Sequence, residues 1–321
     1  MSAEFAWMSK VEEILQPQLA EMPEAREWLA ETRAALQQSD EGFASAFAEA
    51  SRRVGRGVLA KRKLAQPVHE LPHLEVAGWR MPLYPWRRSD AARALLAAAD
   101  AQRDPAGALK RLASLYWHGD SDERTSVLRL LGLMPGGAPE APLPVPPVEA
   151  GYEPEEQDDG PTHALRVVLD SFRTNIAPLF DAATANNPFF SRATPELEFN
   201  KAVLKRVFVD LPLEEVLGLR GRANAELSRM LLNLAEEREV TLRPYPVEVW
   251  PVVAGHPVPG FAAKMIGLIE HPDDQLRRAA AEALGIMREP KARSFLEERL
   301  RRETQTPVKQ ALEAALAALE A

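Results

Sequence analysis

The chain has 321 residues, 46% of them hydrophobic, which is sufficient to fill the core of one large domain or of two ordinary ones. It contains no cysteine, and this excludes disulfides, thiolate nucleophiles and metal sites built on thiolates. The formal net charge is −8, but seven of the 47 acids lie in residues 135–161. The rest of the chain carries 40 acids against 39 bases, which does not indicate a broad nucleic-acid-binding surface.

Residues 1–134 show the apolar spacing of amphipathic helices. Between residues 11 and 54, apolar side chains recur three and four positions apart in three successive stretches. Residues 66–88 interrupt this pattern with four prolines, which remove backbone donors and fix φ. We therefore expect an N-terminal helical region over residues 1–134, with an irregular segment at 66–88 that contains a short strand at most.

Local capping signals place three further helices in this region. Ser89-Asp90 is expected to cap the first of them. Pro105 is compatible with the first turn of the next helix, because the first helical position needs no backbone donor. Asp120 or Ser121 then caps the third, which we expect to end just before residue 135.

Residues 135–161 differ from the rest of the chain in composition. They hold eight prolines and seven acids but no base. Proline cannot continue a helix, and clustered acids repel one another and extend the chain. We interpret this segment as a linker, ordered at most as polyproline II, which joins the N-terminal helical region to a C-terminal one.

After the linker, apolar residues again recur at the spacing typical of helices, and this pattern continues to the end of the chain. No long run of residues alternates between apolar and polar, which disfavours a sheet. We expect the first of these helices to break near residues 175–178. The predicted helices cover roughly residues 162–184, 195–209, 222–239, 259–271, 273–288, 290–303 and 306–320.

The last part of the chain contains an internal repeat. Residues 276–284 align with residues 308–316 at an offset of 32, and residues 290–300 supply a return helix between them. Small residues along one side of each copy allow neighbouring helices to approach closely. Paired helices that repeat at this interval are typical of a HEAT-like solenoid. The predicted fold class is therefore all-α, with helical hairpins stacked as HEAT-like repeats.

The asparagines are concentrated in one region. All six lie between residues 175 and 233. Asparagine competes for backbone hydrogen bonds and therefore favours caps and turns over helix interiors. Asn200 is an exception, because it shares a helix face with Leu197 and Leu204, and a buried amide there needs hydrogen-bond partners.

This region resembles the EboA family, named after the bacterial and plastid ebo operon. The runs that carry the resemblance are Arg173-Thr174-Asn175, Asn187-Pro188-Phe189, Phe199-Asn200-Lys201, Arg222-Ala223-Asn224 and Arg229-Met230-Leu231-Leu232. The family usually has a histidine where this chain has Asn186, and a tryptophan and a glutamine where this chain has Phe199 and Lys201. The resemblance implies an EboA-like helical core over residues 162–255, followed by a HEAT-like extension over residues 256–321.

The resemblance implies which proteins are encoded beside this one, but it does not imply a reaction that this chain catalyses. The ebo operon encodes a prenyltransferase-like membrane protein, a TatD-like metal hydrolase and further enzyme-like proteins, and in cyanobacteria it is linked to export of a pigment precursor. EboA-like proteins have no settled activity that can be transferred to this chain. We therefore expect the partners to be other proteins of the same operon, with a small-molecule metabolite as a further possibility.

Polar residues of the EboA-like region are candidates for a groove that receives a ligand or a partner segment. The alternative is that buried amides only fix helix geometry and that charged pairs form an ordinary exposed face. The candidate groove residues are Arg173, Thr174, Asn175, Asn187, Asn200, Lys205, Arg222, Asn224, Glu226 and Arg229.

A second candidate is a basic patch in the N-terminal region, for which a solvated helix end is the ordinary interpretation. Its members are Arg52, Arg53, Arg56, Lys61, Arg62 and Lys63.

His69 and His73 have the spacing of metal ligands on one helix face, but Pro72 between them prevents a continuous helix. Motifs for a catalytic serine, a P-loop or a dinucleotide fold are absent.

These patterns favour a non-catalytic helical scaffold or adaptor that binds partner proteins for the synthesis or export of a metabolite precursor. The alternative is a metabolite-binding protein or weak enzyme that uses the polar groove. We predict no catalytic residues, no cofactor, no metal and no nucleic-acid partner.

No window approaches the roughly 18 uninterrupted apolar residues of a membrane span, and residues 1–18 lack a secretory pattern, so we expect a cytoplasmic protein.

Overall fold

The computed structural model describes residues 3–61, 63, 66, 70–146, 152–241, 243 and 246–320. The regular structure of these residues consists of seventeen α-helices, several short 3-10 turns and one two-stranded hairpin, so the all-α prediction is confirmed. The chain forms two compact units, one up to Phe199 and the other from Asn200 onward. None of the described helices combines the length and the apolar character needed to cross a bilayer.

The first unit contains nine complete helices and the hairpin among its described residues. The helices are α1 (Trp7–Leu19), α2 (Pro23–Leu36), α3 (Phe43–Val54), α4 (Arg88–Arg103), α5 (Pro105–His118), α6 (Ser121–Leu130), α7 (Gly160–Arg173), α8 (Ala177–Thr184) and α9 (Pro188–Ala193). The strands are β1 (His73–Val76) and β2 (Trp79–Pro82).

Helix α4 is the centre of the first unit. It is rich in alanine and is buried almost all round, as expected for a helix with apolar residues on every side. Helices α1, α2, α3 and α5 pack against it. Its cap differs from the prediction: the helix begins at Arg88, and Asp90 lies inside the first turn, where its carboxylate accepts a hydrogen bond from the Arg87 backbone N–H at 2.7 Å.

The buried Arg93 of α4 holds three helices together. Its guanidinium donates to the Phe47 carbonyl at 2.9 Å and to the Ser51 hydroxyl at 3.0 Å, both on α3. It also donates to the Ser126 hydroxyl of α6 at 2.9 Å and lies 3.3 Å from a carboxylate oxygen of Asp122. These partners satisfy a charge that is 1% exposed.

The hairpin lies where the sequence predicted an irregular segment with a short strand at most. Strands β1 and β2 pair antiparallel, with Val76 opposite Trp79. Ala77 and Gly78 form the turn with φ of 50° and 81°, the positive values that two-residue hairpin turns require. Each strand has only four residues, which is too short to produce a clear alternation of apolar and polar positions.

The described part of the proline- and acid-rich segment packs within the first unit. The Arg166 guanidinium of α7 bonds the carboxylates of Asp158 at 2.7 Å and Glu155 at 2.9 Å. The Lys110 ammonium of α5 donates to the backbone carbonyls of Glu156 at 3.0 Å and Asp158 at 2.6 Å. Helices α5 and α7 pack against each other, so the segment connects two neighbouring helices of one unit.

Helix α10 (Glu196–Phe208) contains the boundary between the units, and the second unit continues with seven further described helices. These are α11 (Leu219–Arg222), α12 (Ala225–Val240), α13 (Val249–Gly255), α14 (Phe261–Leu268), α15 (Asp274–Met287), α16 (Arg293–Arg302) and α17 (Thr306–Ala318). Helix α12 packs on α13, and α13 packs on α15, which also contacts α14 and α17. Helix α16 packs on α17.

Helices α15 and α17 approach each other closely at Gly285. A Cβ atom at this position would stand 2.9 Å from the Cα of Ala315, which is closer than such atoms can come. Small residues therefore allow the two helices to approach each other closely, as the sequence predicted.

A buried carboxylate joins the helices of this repeat. Glu303, at the end of α16, receives hydrogen bonds from the guanidinium groups of Arg277 at 2.9 Å and Arg299 at 2.8 Å. The backbone N–H groups of Thr304 and Gln305 donate to its other oxygen at 2.9 Å. Burial alone would raise the pKa of Glu303, but these donors outweigh it and hold the pKa well below the ordinary value.

Candidate functional site

The sequence-predicted groove residues fall into both compact units. Arg173, Thr174, Asn175 and Asn187 belong to the first unit, and Asn200, Lys205, Arg222, Asn224, Glu226 and Arg229 belong to the second.

The junction between α7 and α8 exposes Arg173 and Asn175. The guanidinium of Arg173 lies over the ring of Tyr152, 5.5 Å from its centroid, which is a cation–π contact within the same unit. The Thr174 hydroxyl accepts a hydrogen bond from the Ile176 backbone N–H at 3.1 Å. These contacts fit the turn that ends α7, where the sequence predicted a break in the helix.

Asn187 is fully buried and caps α9. Its side-chain oxygen accepts from the Phe190 backbone N–H at 3.1 Å. Its side-chain amide donates to the carbonyls of Leu128 at 2.9 Å and Ala182 at 3.2 Å. Every polar atom of this side chain is thereby used to join α6, α8 and α9, which favours the geometric role over ligand binding.

Asn200 and Asn224 form a reciprocal amide pair. The Asn200 amide donates to the Asn224 side-chain oxygen at 3.1 Å, and the Asn224 amide donates back at 3.3 Å. Asn224 also caps α12 by accepting from the Leu227 backbone N–H at 2.8 Å. Asn200 is 1% exposed, and this pair supplies the partners that its burial demands.

The remaining charged candidates of the second unit lie at or near the surface. Glu226 and Arg229 form an ion pair one turn apart on α12, with both side chains at least half exposed. Pairs of this kind contribute little to stability. Arg222 is half-buried at the end of α11.

Helices α10 and α12 are joined by hydrogen bonds near both of their ends. At the N-terminal end the link is the Asn200–Asn224 pair. At the C-terminal end the Arg238 guanidinium of α12 donates to the Val207 carbonyl at 2.6 Å and to the Asp210 carboxylate at 2.8 Å. The spacing between the two helices is thus fixed by hydrogen bonds at each end.

A surface groove of about 470 Å³ lies between these two joined helices. We call it the α10–α12 groove. Its lining consists of four residues from each helix: Lys201, Leu204, Lys205 and Phe208 from α10, and Met230, Asn233, Leu234 and Glu237 from α12. The groove combines an apolar floor with two ammonium groups, one carboxylate and one amide. Burial lowers the pKa of the Lys205 ammonium below its ordinary range.

Of the predicted groove residues, only Lys205 lines this groove. Sequence reasoning did not assign Phe208 or Met230 to a site, although a signal was present. The lining residues of α10 and those of α12 both follow the spacing i, i+3, i+4, i+7, which places four side chains on one face of a helix. Spacing alone could not indicate that these two faces point at each other.

A second depression of about 530 Å³ lies near α11, α13 and α15. Its charged residues include both signs, with Arg220 and Arg278 beside Glu214, Glu248 and Glu282. With three carboxylates against two guanidinium groups, this lining does not favour an anion, and Arg278 lies 3.7 Å from Glu282 on the same helix.

The predicted basic patch is partly paired with acids. Arg53 lies 3.0 Å from Glu49, and Arg56 lies 3.5 Å from Asp122. Arg52, Lys61 and Lys63 are exposed, and Arg62 lies outside the described residues. This pattern agrees with the interpretation of a solvated helix end.

The histidine pair cannot be placed as a unit, because His69 lies outside the described residues. The described His73 lies in β1, where its Nδ1 is 3.0 Å from the Arg80 guanidinium. Among the described residues, no group of three or more histidine and acidic side chains is arranged to hold a metal ion.

Two family models match the chain. Residues 160–254 match the model described as metabolite traffic protein EboA, and residues 254–317 match the model described as HEAT repeats. No curated protein and no solved structure matches the chain. The resemblance drawn from the asparagine-rich runs and from the internal repeat is therefore confirmed.

Proposed function

We propose that this chain, whose residues 160–254 match the model described as metabolite traffic protein EboA, is a non-catalytic helical adaptor that holds partner proteins of its operon together. The partners act in the synthesis or export of a metabolite precursor. The family description supports the metabolic setting, and the HEAT repeats support the adaptor role.

The packing of the second unit is the observation that carries this proposal. Helix α13, at the end of the EboA region, packs on α15, the first long helix of the HEAT region, and α15 packs in turn on α17. The EboA region and the HEAT repeats therefore continue into one helical stack. Stacked helical repeats present extended surfaces on which partner proteins bind.

Helix α16 is the surface to test first. It carries exposed charged residues on several sides, and the aromatic side chain of Phe295 among them is 48% exposed. Aromatic residues surrounded by polar side chains often dominate the binding energy of protein interfaces. We expect Phe295 to lie in the contact with a partner protein of the same operon.

The experiment is pairwise reconstitution of the purified chain with each protein encoded in its operon, followed by calorimetric titration. We expect at least one partner to bind, and Phe295→Ser to weaken that binding about tenfold, which corresponds to about 1.4 kcal/mol. Val58→Ser is the matched control, because Val58 is a similarly exposed apolar residue in the other unit.

The adaptor proposal fails if none of the operon proteins binds the chain. It is also contradicted if Phe295→Ser and Val58→Ser weaken binding equally, because the HEAT region would then have no specific part in recognition. Circular dichroism of both variants verifies that each remains helical.

A further inference from the structure

The α10–α12 groove has the features of a small-molecule site rather than of a packing defect. Its volume of about 470 Å³ falls within the range of about 300–1,000 Å³ that is typical of ligand pockets. The helices on either side are joined at both ends, so the groove does not depend on a loop to keep its width. A site built on rigid helices is preorganised for its ligand.

The floor of the groove is apolar and open to solvent. Leu204 and Phe208 lie one turn apart on α10, and Met230 and Leu234 lie one turn apart on α12. Phe208 is 57% exposed, although it is among the largest apolar side chains of the second unit. Covering such surface with an apolar chain is favourable, because it removes apolar area from water.

The charges around the groove favour an anion. Lys201 and Lys205 are one turn apart on the same helix, and Glu237 on the facing helix is the single acid of the lining. Two ammonium groups against one carboxylate leave the lining with a net positive charge. Asn233 adds an amide that can donate a hydrogen bond.

We propose that the α10–α12 groove binds a small amphiphilic anion, whose apolar chain lies along the floor and whose carboxylate or phosphate head contacts Lys201 and Lys205. This inference goes beyond the adaptor role and does not depend on it, because the groove and α16 are different surfaces of the second unit. The family description, which refers to metabolite traffic, assigns no such site to these residues.

The burial of Lys205 gives the site a second, independent readout. Its pKa is lowered because burial removes water from the ammonium group. An anion bound beside it favours the charged form and raises the pKa again, so binding takes up protons at alkaline pH. Affinity for the anion therefore falls as the pH rises through the lowered pKa of Lys205, and Lys205→Gln removes the part of this dependence that Lys205 causes.

The test is calorimetric titration of the full chain with dodecanoate, dodecyl phosphate and dodecanol, each below the concentration at which it forms micelles. We expect one molecule of an anionic probe to bind per chain, at least about tenfold tighter than dodecanol. The ratio of the two anionic affinities identifies the preferred head group. Absence of anion binding, or equal binding of dodecanol, overturns the proposal.

Variants locate the site within the groove. Lys201→Gln/Lys205→Gln is expected to weaken dodecanoate binding at least about tenfold, and Met230→Trp, which fills the floor, is expected to abolish it. Lys291→Gln is the control, because Lys291 is an exposed lysine of the HEAT region. If the lysine double variant and Met230→Trp both bind as tightly as the wild type, the anion binds elsewhere and the assignment is wrong. Failure here leaves partner binding at Phe295 untouched, so the two proposals are tested separately.

Discussion

At the scale of single residues, the buried side chains of Arg93, Asn187 and Asn200 are hydrogen-bonded to other elements of their own compact unit. The sequence singled out Asn200 as an amide that needs partners, and the structure supplies them in Asn224. Asn187 caps α9, as the preference of asparagine for caps and turns predicted, but its burial could not be predicted, because one of its acceptors, the carbonyl of Leu128, lies 59 positions away in the chain. Spacing along a helix reports which residues share a face but not which distant backbone group they meet.

Glu303 is expected to be a large single contributor to stability in the HEAT region. Glu303→Gln removes the charge that compensates the buried guanidinium of Arg277, and breaking a buried pair in this way costs about 3 kcal/mol. Urea unfolding followed by circular dichroism measures the loss. Glu298→Gln is the control, because Glu298 lies on the same helix but is 61% exposed, and its loss should change stability little. Equal losses in both variants would refute this role.

His163 is expected to make the stability of the first unit depend on pH. It is buried on α7, and burial, followed by the nearby charge of Lys110, lowers the pKa of its imidazole, while Asp158 partly opposes this. In the unfolded chain the group protonates near its ordinary value of 6.5, whereas the folded state resists protonation. Stability therefore falls as the pH falls through 6.5.

The measurement for His163 is the free energy of unfolding of wild type and His163→Leu between about pH 7.5 and pH 5.5. The variant should lose less stability over this interval than the wild type, because it has no imidazole to protonate in the unfolded state. Parallel curves for the two proteins would show that His163 does not contribute.

At the scale of elements, the long helices could be predicted from the sequence and the short ones could not. Residues 195–209 were predicted for α10, which spans Glu196–Phe208, and residues 306–320 for α17, which spans Thr306–Ala318. The six residues of α9 and the four of α11 were missed, since neither completes two turns of apolar spacing. The α10–α12 groove was missed for a different reason. It lies between one face of α10 and one face of α12, and the sequence does not show that these two faces lie opposite each other in the folded chain.

The close approach of α15 and α17 makes glycine necessary at position 285. Alanine is the better helix former by about 1 kcal/mol, yet Gly285→Ala should destabilise the HEAT region by about 1–3 kcal/mol, because its Cβ would meet the backbone of Ala315. Gly267→Ala on α14 is the matched control. Open space surrounds that position, so the substitution should stabilise the chain slightly. Thermal unfolding shows whether each substitution lowers or raises the stability of the chain. Stabilisation by both substitutions would contradict the packing argument.

At the scale of the whole molecule, the compact units do not follow the segments that composition indicated. The boundary between units falls at Phe199, inside α10, rather than in the proline-rich residues 135–161. Composition indicates only which conformation a segment would prefer in isolation. It could not report that Arg166 and Lys110 would bind the acidic residues of this segment and hold them in the first unit.

The order of packing within the second unit predicts the order of hydrogen exchange. Helix α15 has neighbours in α13, α14 and α17, whereas α16 packs mainly on α17. Protection from exchange increases with burial and with the number of packed neighbours. In native-state exchange followed by mass spectrometry, the amides of α15 should exchange more slowly than those of α16, and the reverse order would contradict a stack centred on α15.

The fixed ends of the α10–α12 groove have a consequence for the speed of ligand exchange. Because Asn200 and Arg238 hold the helices together near their two ends, the proposed anion would enter and leave along the open length of the groove, where Phe208 is exposed. This path requires rotation of surface side chains, which occurs in picoseconds to nanoseconds, and does not require the helices to separate. The residence time of the proposed anion should therefore be set by its affinity alone, so that it is released as soon as its free concentration falls.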